Sequence, residues 1–138
     1  MKRVEFFIAG EPKGQPRPRA FARGGKARIY DPGTAEGWKG QVALGARDHL
    51  PATPIETAIV VLLWFEMPRP QGHYGRRGLK PAAPTNHLAR PDVDNLAKAV
   101  LDALVGIGFL RDDRLVCSLR VTKRYTHTVP GCLVRLAW

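Results

Sequence analysis

Apolar positions along this chain follow two spacings, one suited to strands and one to helices. Val4 to Ala9 is a short, mostly apolar run closed by Gly10 and Pro12, and predicts a first strand. From Thr34 to Leu50, the residues Trp38, Val42, Ala46 and Leu50 recur at every fourth position, which predicts a helix with one buried stripe. Leu44 falls off that stripe, and Gly37, Gly40 and Gly45 weaken the helix. Glu56 to Met67 is the strongest strand signal, because Ile59 to Phe65 is apolar without a break. Such a run predicts a central strand covered on both faces. Asp92 to Val105 predicts a second helix, ended by Gly106 or Gly108, with Leu96, Val100, Ala103 and Leu104 as its apolar stripe. Leu115 to Tyr125 and Cys132 to Trp138 predict two further strands joined through Pro130-Gly131.

Two segments break the pattern. Gly10 to Lys26 interleaves Gly and Pro with basic residues, as an exposed loop or a loose hairpin would. Arg28-Ile29-Tyr30 could form a brief strand before a turn at Asp31-Pro32-Gly33. Pro68 to Arg90 is a second irregular, basic stretch, and connections of that length are usually functional or disordered. There is no repeat and no internal boundary. The expected architecture is α/β in the α+β sense: one domain over residues 1–138, with two helices packed on a small mixed sheet.

Composition adds charge to this picture. Hydrophobic residues make up 44% and charged residues 25%, the balance of a globular chain. Lys and Arg number 22 against 12 Asp and Glu, a net charge of +10. A surplus of that size on one small domain points to a polyanion, with nucleic acid the leading candidate. Lys13, Arg17, Arg19 and Arg23 in the first loop, and Arg76, Arg77 and Lys80 in the second, are the expected backbone-phosphate contacts. Cys117 and Cys132 lack metal-ligand spacing and fall in predicted strands. They read as buried free thiols, with a disulfide left open. Glu5 and Gly10-Glu11-Pro12 interrupt any signal-peptide core, and no apolar run could cross a bilayer. No amphipathic basic helix suggests a membrane surface. A cytoplasmic protein, nucleoid-associated when bound to DNA, is expected.

The candidate chemistry lies in RPDVDNLAKAVLDALVGIGFLRDDR, residues 90–114. Five of the 12 acidic residues fall here: Asp92, Asp94, Asp102, Asp112 and Asp113. Asp92 stands where it could cap the second helix, and Asp94 follows in the first turn. Asp94, Lys98 and Asp102 share one helical face. Asp112 and Asp113 lie just past the helix, where a tight return could bring them back beside it. Taken singly, Asp92 is a plain cap, Asp112-Asp113 a solvated turn, and Lys98 half of a surface ion pair. Taken together, converging carboxylates repel each other unless a cation sits among them, and hard oxygen donors suit Mg²⁺ or Mn²⁺. Such a site, left open to water and phosphate, is the machinery of phosphodiester hydrolysis.

These residues resemble the RusA family of Holliday junction resolvases. The matching pattern is Asp92-x-Asp94-Asn95-x-x-Lys98, then Leu101-Asp102-Ala103-Leu104, then Gly108-Phe109-x-x-Asp112-Asp113. More weakly, residues 10–19 resemble the family's basic, Pro-rich entry loop, and Tyr30-Asp31-Pro32 the turn before its first helix. Residues 68–89 show no clear match. The resemblance implies a homodimer that binds four-way DNA junctions and nicks two strands symmetrically, in recombination and repair. It implies Mg²⁺, or Mn²⁺ in its place, bound at Asp92, Asp94 and Asp113, and an essential lysine at Lys98. Choosing Asp113 over Asp112 comes from the family register. Pro91, not a basic residue, precedes Asp92, so any DNA contact there falls to Arg90. The competing expectations are a flap- or branch-cutting nuclease with the same metal site, and a non-catalytic DNA-binding module.

Overall fold

Four strands form the main sheet: β1 (Arg3–Ala9), β4 (Ile59–Pro68), β7 (Val116–Thr126) and β8 (Gly131–Ala137), in the order β1-β8-β4-β7. This computed structural model describes residues 1–30 and 33–138, and leaves out the side chains of Arg19, Phe21, Arg23, Arg28, Ile29 and Tyr30. The turn expected at Asp31-Pro32 therefore lies outside the described residues. Two further pairs are small hairpins: β2 (Arg19–Arg23) with β3 (Lys26–Tyr30), and β5 (Tyr74–Gly75) with β6 (Gly78–Leu79). The helices are α1 (Glu36–Ala46) and α2 (Val93–Gly106). This is the mixed sheet with two helices that the hydrophobic pattern predicts.

The core follows from strand alternation. Ile59, Val61, Leu63, Phe65 and Met67 of β4 point to the helix side and are buried, as are Phe6 and Ile8 of β1 and Cys132, Val134 and Leu136 of β8. Trp38, Val42 and Ala46 of α1 and Leu96, Val100 and Leu104 of α2 meet them. Burying one such large side chain is worth about 1.5–3 kcal/mol. The stripes seen in the sequence are therefore what hold the two layers together. Leu50 is an exception: α1 tightens into a 3₁₀ turn at Arg47–His49, and Leu50 falls outside the core.

Two expectations need correction. β4 is central, between β8 and β7, but helices cover only one of its faces. Val60 on the other face is 42% exposed, and Phe7 on β1 is 45% exposed. An unbroken apolar run does not reveal that the second layer is missing. Cys117 is exposed, and only Cys132 is buried; both are free thiols. Cys117 lies near the start of β7, an edge strand whose first half is open to solvent.

What matters for the site is the β4-α2-β7 crossover. β4 and β7 are parallel, so α2 must run back between them. The N-terminus of α2 thereby comes to the carboxyl ends of both strands, the usual place for a site in such a unit. α2 stops where Gly108 adopts φ 78°, a conformation that glycine tolerates without strain. The Phe109 N–H then donates to the Leu104 carbonyl at 2.9 Å, and buried Phe109 and Leu110 turn the chain back. Ile55 donates to Phe109 and accepts from Arg111, both at 3.0 Å, which directs the next residues along the flank of α2.

Candidate active site

Asp92 occupies the N-cap position of α2 with extended backbone, φ −72° and ψ 154°. Its carboxylate makes no capping hydrogen bond, contrary to the expectation of a simple cap. It is exposed and lines a cleft of about 580 Å³ together with Gly14, Arg17, Arg90, Pro91 and Asn95. Asp94 lies in the first turn, exposed, on the rim of a shallow groove that it shares with Lys98, Leu119 and Val121. Among the described residues neither carboxylate has a hydrogen-bond or ion-pair partner. The positive end of α2 favours the ionised form of both carboxylates, which are hard oxygen donors facing neighbouring hollows of the surface.

Asp113 opens a 3₁₀ turn, Asp113–Leu115, just before β7. The return of the chain brings it to the middle of α2. Lys98 Nζ lies 2.8 Å from Asp113 Oδ2 and 2.8 Å from Asp102 Oδ1. Both hydrogen bonds, Asp102 first, raise the Lys98 pKa well above the ordinary lysine range. The same contact lowers the Asp113 pKa from its ordinary value. Asp112 is occupied otherwise: it caps the turn, accepting from the Arg114 N–H at 2.9 Å. Asp113, and not Asp112, therefore reaches α2. Asp92 and Asp113 approach α2 from opposite ends of the crossover. No group of three acidic, His or Cys side chains is close enough to hold a metal among the described residues.

The basic residues fall into separate places. Arg17 and Arg90 share the cleft with Asp92. Lys13 is exposed and pairs with Glu11 at 3.1 Å. Arg76 and Arg77 form the turn of the β5-β6 hairpin, exposed at its tip, and Lys80 follows it. The side chains of Arg19 and Arg23 lie outside the described residues.

Residues that sequence reasoning missed hold the site together. Gly14 lies against α2 so closely that a Cβ there would stand 2.9 Å from Pro91 Cβ and 3.1 Å from Asn95 Cβ. The neighbouring Gln15 N–H donates to the Asn95 carbonyl at 2.8 Å, tying the first basic loop to the start of α2. Tyr125 packs edge-on with His73 and His87, under the Arg69 guanidinium, and fastens the second basic segment to β7. Lys123 donates to the carbonyls of Ala89 and Pro91. The signal was present: period-2 alternation puts Lys123 on the inward face of β7 with Val121 and Tyr125, where a charge needs a reason.

The family model for Endodeoxyribonuclease RusA matches residues 9–137. A protein of Bacillus subtilis (strain 168), described as uncharacterized protein YqaN, is 35% identical over 127 residues, spanning 90% of this chain and 89% of its own. No helix among the described residues is long and apolar enough to cross a membrane. With residues 9–137 matched, the chain belongs to the RusA endodeoxyribonuclease family.

Proposed function

We propose that the chain is a single RusA-like domain, residues 1–138, that acts as a homodimer on four-way DNA junctions and resolves them by paired nicks in recombination and repair. The observation that carries this reading is the pairing of Lys98 with Asp113 one helical turn beyond the free Asp94. It brings three carboxylates and one ammonium to a single helix in a chain of net charge +10. A cytoplasmic, nucleoid-associated setting follows from that activity.

Asp92, Asp94 and Asp113 are the residues that would hold Mg²⁺, or Mn²⁺ in its place. The donors suit the cation by chemistry, since all three are hard carboxylate oxygens and two of them have no other partner among the described residues, where the three are not gathered around one point. When bound, the cation supplies Lewis acidity to the scissile phosphate and makes a water acidic enough to attack it near neutral pH. The chain's own groups do the rest. Lys98 is too basic to take a proton from water, since both of its carboxylate contacts favour the charged form. It remains an ammonium that orients Asp113 and offsets charge developing on the phosphate. Arg17 and Arg90, beside Asp92, attract the phosphate backbone into the cleft. Lys13, Arg19, Arg23, Arg76, Arg77 and Lys80 are the further candidate contacts to backbone phosphates.

The test is cleavage of a four-way junction with Mg²⁺, with EDTA, and with Asp94→Asn. Paired nicks that need Mg²⁺ and vanish in the variant support the reading. Equal cutting of linear duplex at matched salt would instead favour a less selective nuclease.

A further inference from the structure

Lys123 is a half-buried cation on β7 with no carboxylate partner among the described residues. Its ammonium donates to the Ala89 carbonyl at 2.7 Å and to the Pro91 carbonyl at 2.9 Å. These two acceptors bracket Arg90 and stand immediately before Asp92. Residues 88–91 belong to no helix or strand and make no backbone hydrogen bond of their own among the described residues. Upstream, the chain is tied to β7 by the Thr85 carbonyl, which accepts from the Tyr125 N–H at 2.9 Å. Downstream, α2 begins its own bonding when Leu96 N–H donates to the Asp92 carbonyl at 3.0 Å. Past Asn86, which bridges to Arg124, and His87, which packs on Tyr125, the two Lys123 bonds are the hydrogen bonds that fasten the segment delivering Arg90 and Asp92 to the cleft, among the described residues.

We propose that Lys123 is a positioning residue for the nuclease site, its ammonium clamping the carbonyls of Ala89 and Pro91 so that Asp92 and Arg90 face the cleft in fixed geometry. This rests on the assignment of Asp92 to the metal-binding set. A compact ammonium suits this role, because its donors can converge on two carbonyl dipoles from one point. The planar guanidinium of arginine spreads its donors in a fixed fork and does not reproduce that convergence. An aliphatic side chain of equal length would pack against Val121 and Tyr125 as well, but would leave both carbonyls without a donor.

The experiment compares wild type with Lys123→Met. Groups that orient a metal-binding carboxylate are typically worth roughly 10- to 100-fold in activity or metal affinity. The single-turnover rate of junction cleavage at saturating enzyme should fall by that factor, with any loss of junction affinity in EDTA, through the released Arg90, the smaller effect. Lys123→Cys in a Cys117→Ser background, alkylated with 2-bromoethylamine, rebuilds a side chain of lysine's length and charge. Buried Cys132 is shielded from the reagent. Recovery of the rate after alkylation supports the clamp. A rate within about threefold of wild type overturns it, and so does a loss confined to junction affinity, which would make Lys123 a phosphate contact. A second measurement needs no activity: backbone ¹⁵N order parameters of residues 88–90 and 92 should drop from the rigid range of about 0.85 towards about 0.6 in Lys123→Met. Unchanged order parameters overturn the clamp. A wild type that cuts no branched DNA overturns the functional reading instead and leaves this measurement standing.

Discussion

The Lys98 ammonium and the Asp113 carboxylate stand 2.8 Å apart across 15 residues of sequence, joining the middle of α2 to the start of β7. Both side chains are too exposed for the pair to stabilise the fold by more than about 1 kcal/mol. Its value is positional. Lys98→Met should leave the melting temperature nearly unchanged and reduce junction cleavage by about 10²-fold or more, the usual cost of removing a charge aimed at a reacting phosphate. Thermal unfolding and single-turnover cleavage measure the two effects separately. A variant that unfolds early but, once folded, cuts normally would reduce Lys98 to a structural ion pair.

The carboxylates make a complementary prediction. Asp92→Asn, Asp94→Asn and Asp113→Asn each keep the side-chain shape and remove one negative charge. Cleavage should fall by at least about 100-fold in each. Junction binding should persist or tighten, because the local charge becomes less repulsive to phosphate. Gel-shift titration in EDTA alongside cleavage in Mg²⁺ reads both. Full activity in Asp113→Asn, with the other two dead, would reduce the metal set to the pair at the helix start.

Much of this architecture is legible in the residues alone. The stripe of Leu96, Val100 and Leu104 predicts both the second helix and its buried face. Asp92 and Asp94 follow from the helix start, because their proximity is local. Asp113 is different. Its approach to Lys98 depends on Gly108 ending α2 and on Ile55 directing the returning chain, two long-range events with no periodic signature. Lys123 shows in the alternation of β7 as an inward-facing charge, but its partners are backbone carbonyls, which no side-chain pattern records. The bare face of β4 was illegible because Leu62 and Trp64 are apolar whether or not a second layer covers them.

Gly14 allows the first basic loop to lie on the start of α2. A Cβ there would press on Pro91 and Asn95, so Gly14→Ala must lift the loop and strain the Gln15–Asn95 hydrogen bond. Overpacking of this kind costs about 1–3 kcal/mol. Stability by urea unfolding should fall by that amount, and junction affinity should fall with it, since Arg17 moves away from the Asp92 cleft. Wild-type stability together with wild-type affinity would show that the loop has room to spare.

His87 sets an acid limit on stability. Its imidazole is buried with Nδ1 unpartnered; it packs on Tyr125, with His73 and Arg69 beyond that ring. Burial first, and then the charge of Lys123, lower its pKa from the ordinary value. The unfolded chain takes up this proton near pH 6.5 or just below, whereas the folded chain resists it to lower pH. The unfolded state therefore binds more protons in that window, and stability falls as pH drops from about 7 through the folded pKa. Above that window this group contributes no slope. Unfolding curves between pH 8 and pH 5 should show the loss, on the order of 1 kcal/mol per unit of pKa difference. His87→Phe should flatten the curve without leaving a hydrogen bond unmade. An unchanged slope in His87→Phe would move the acid sensitivity to other groups.

Arg76 and Arg77 test whether the second basic segment belongs to the DNA surface. They sit exposed at the turn of the β5-β6 hairpin, held to β7 through Tyr125 but making no ion pair among the described residues. An exposed arginine pair on a braced hairpin is either solvated or waiting for phosphate. If each neutralises one phosphate, the double change Arg76→Ala with Arg77→Ala should make the slope of log K against log salt shallower by roughly 1.8 units. Affinity near physiological salt should drop, with no preference for one junction sequence over another. Cleavage at saturating enzyme should be retained, because neither residue lines the Asp92 cleft. A steady salt slope would detach the hairpin from the interface and leave Arg17 and Arg90 as the basic residues that meet DNA beside the carboxylates.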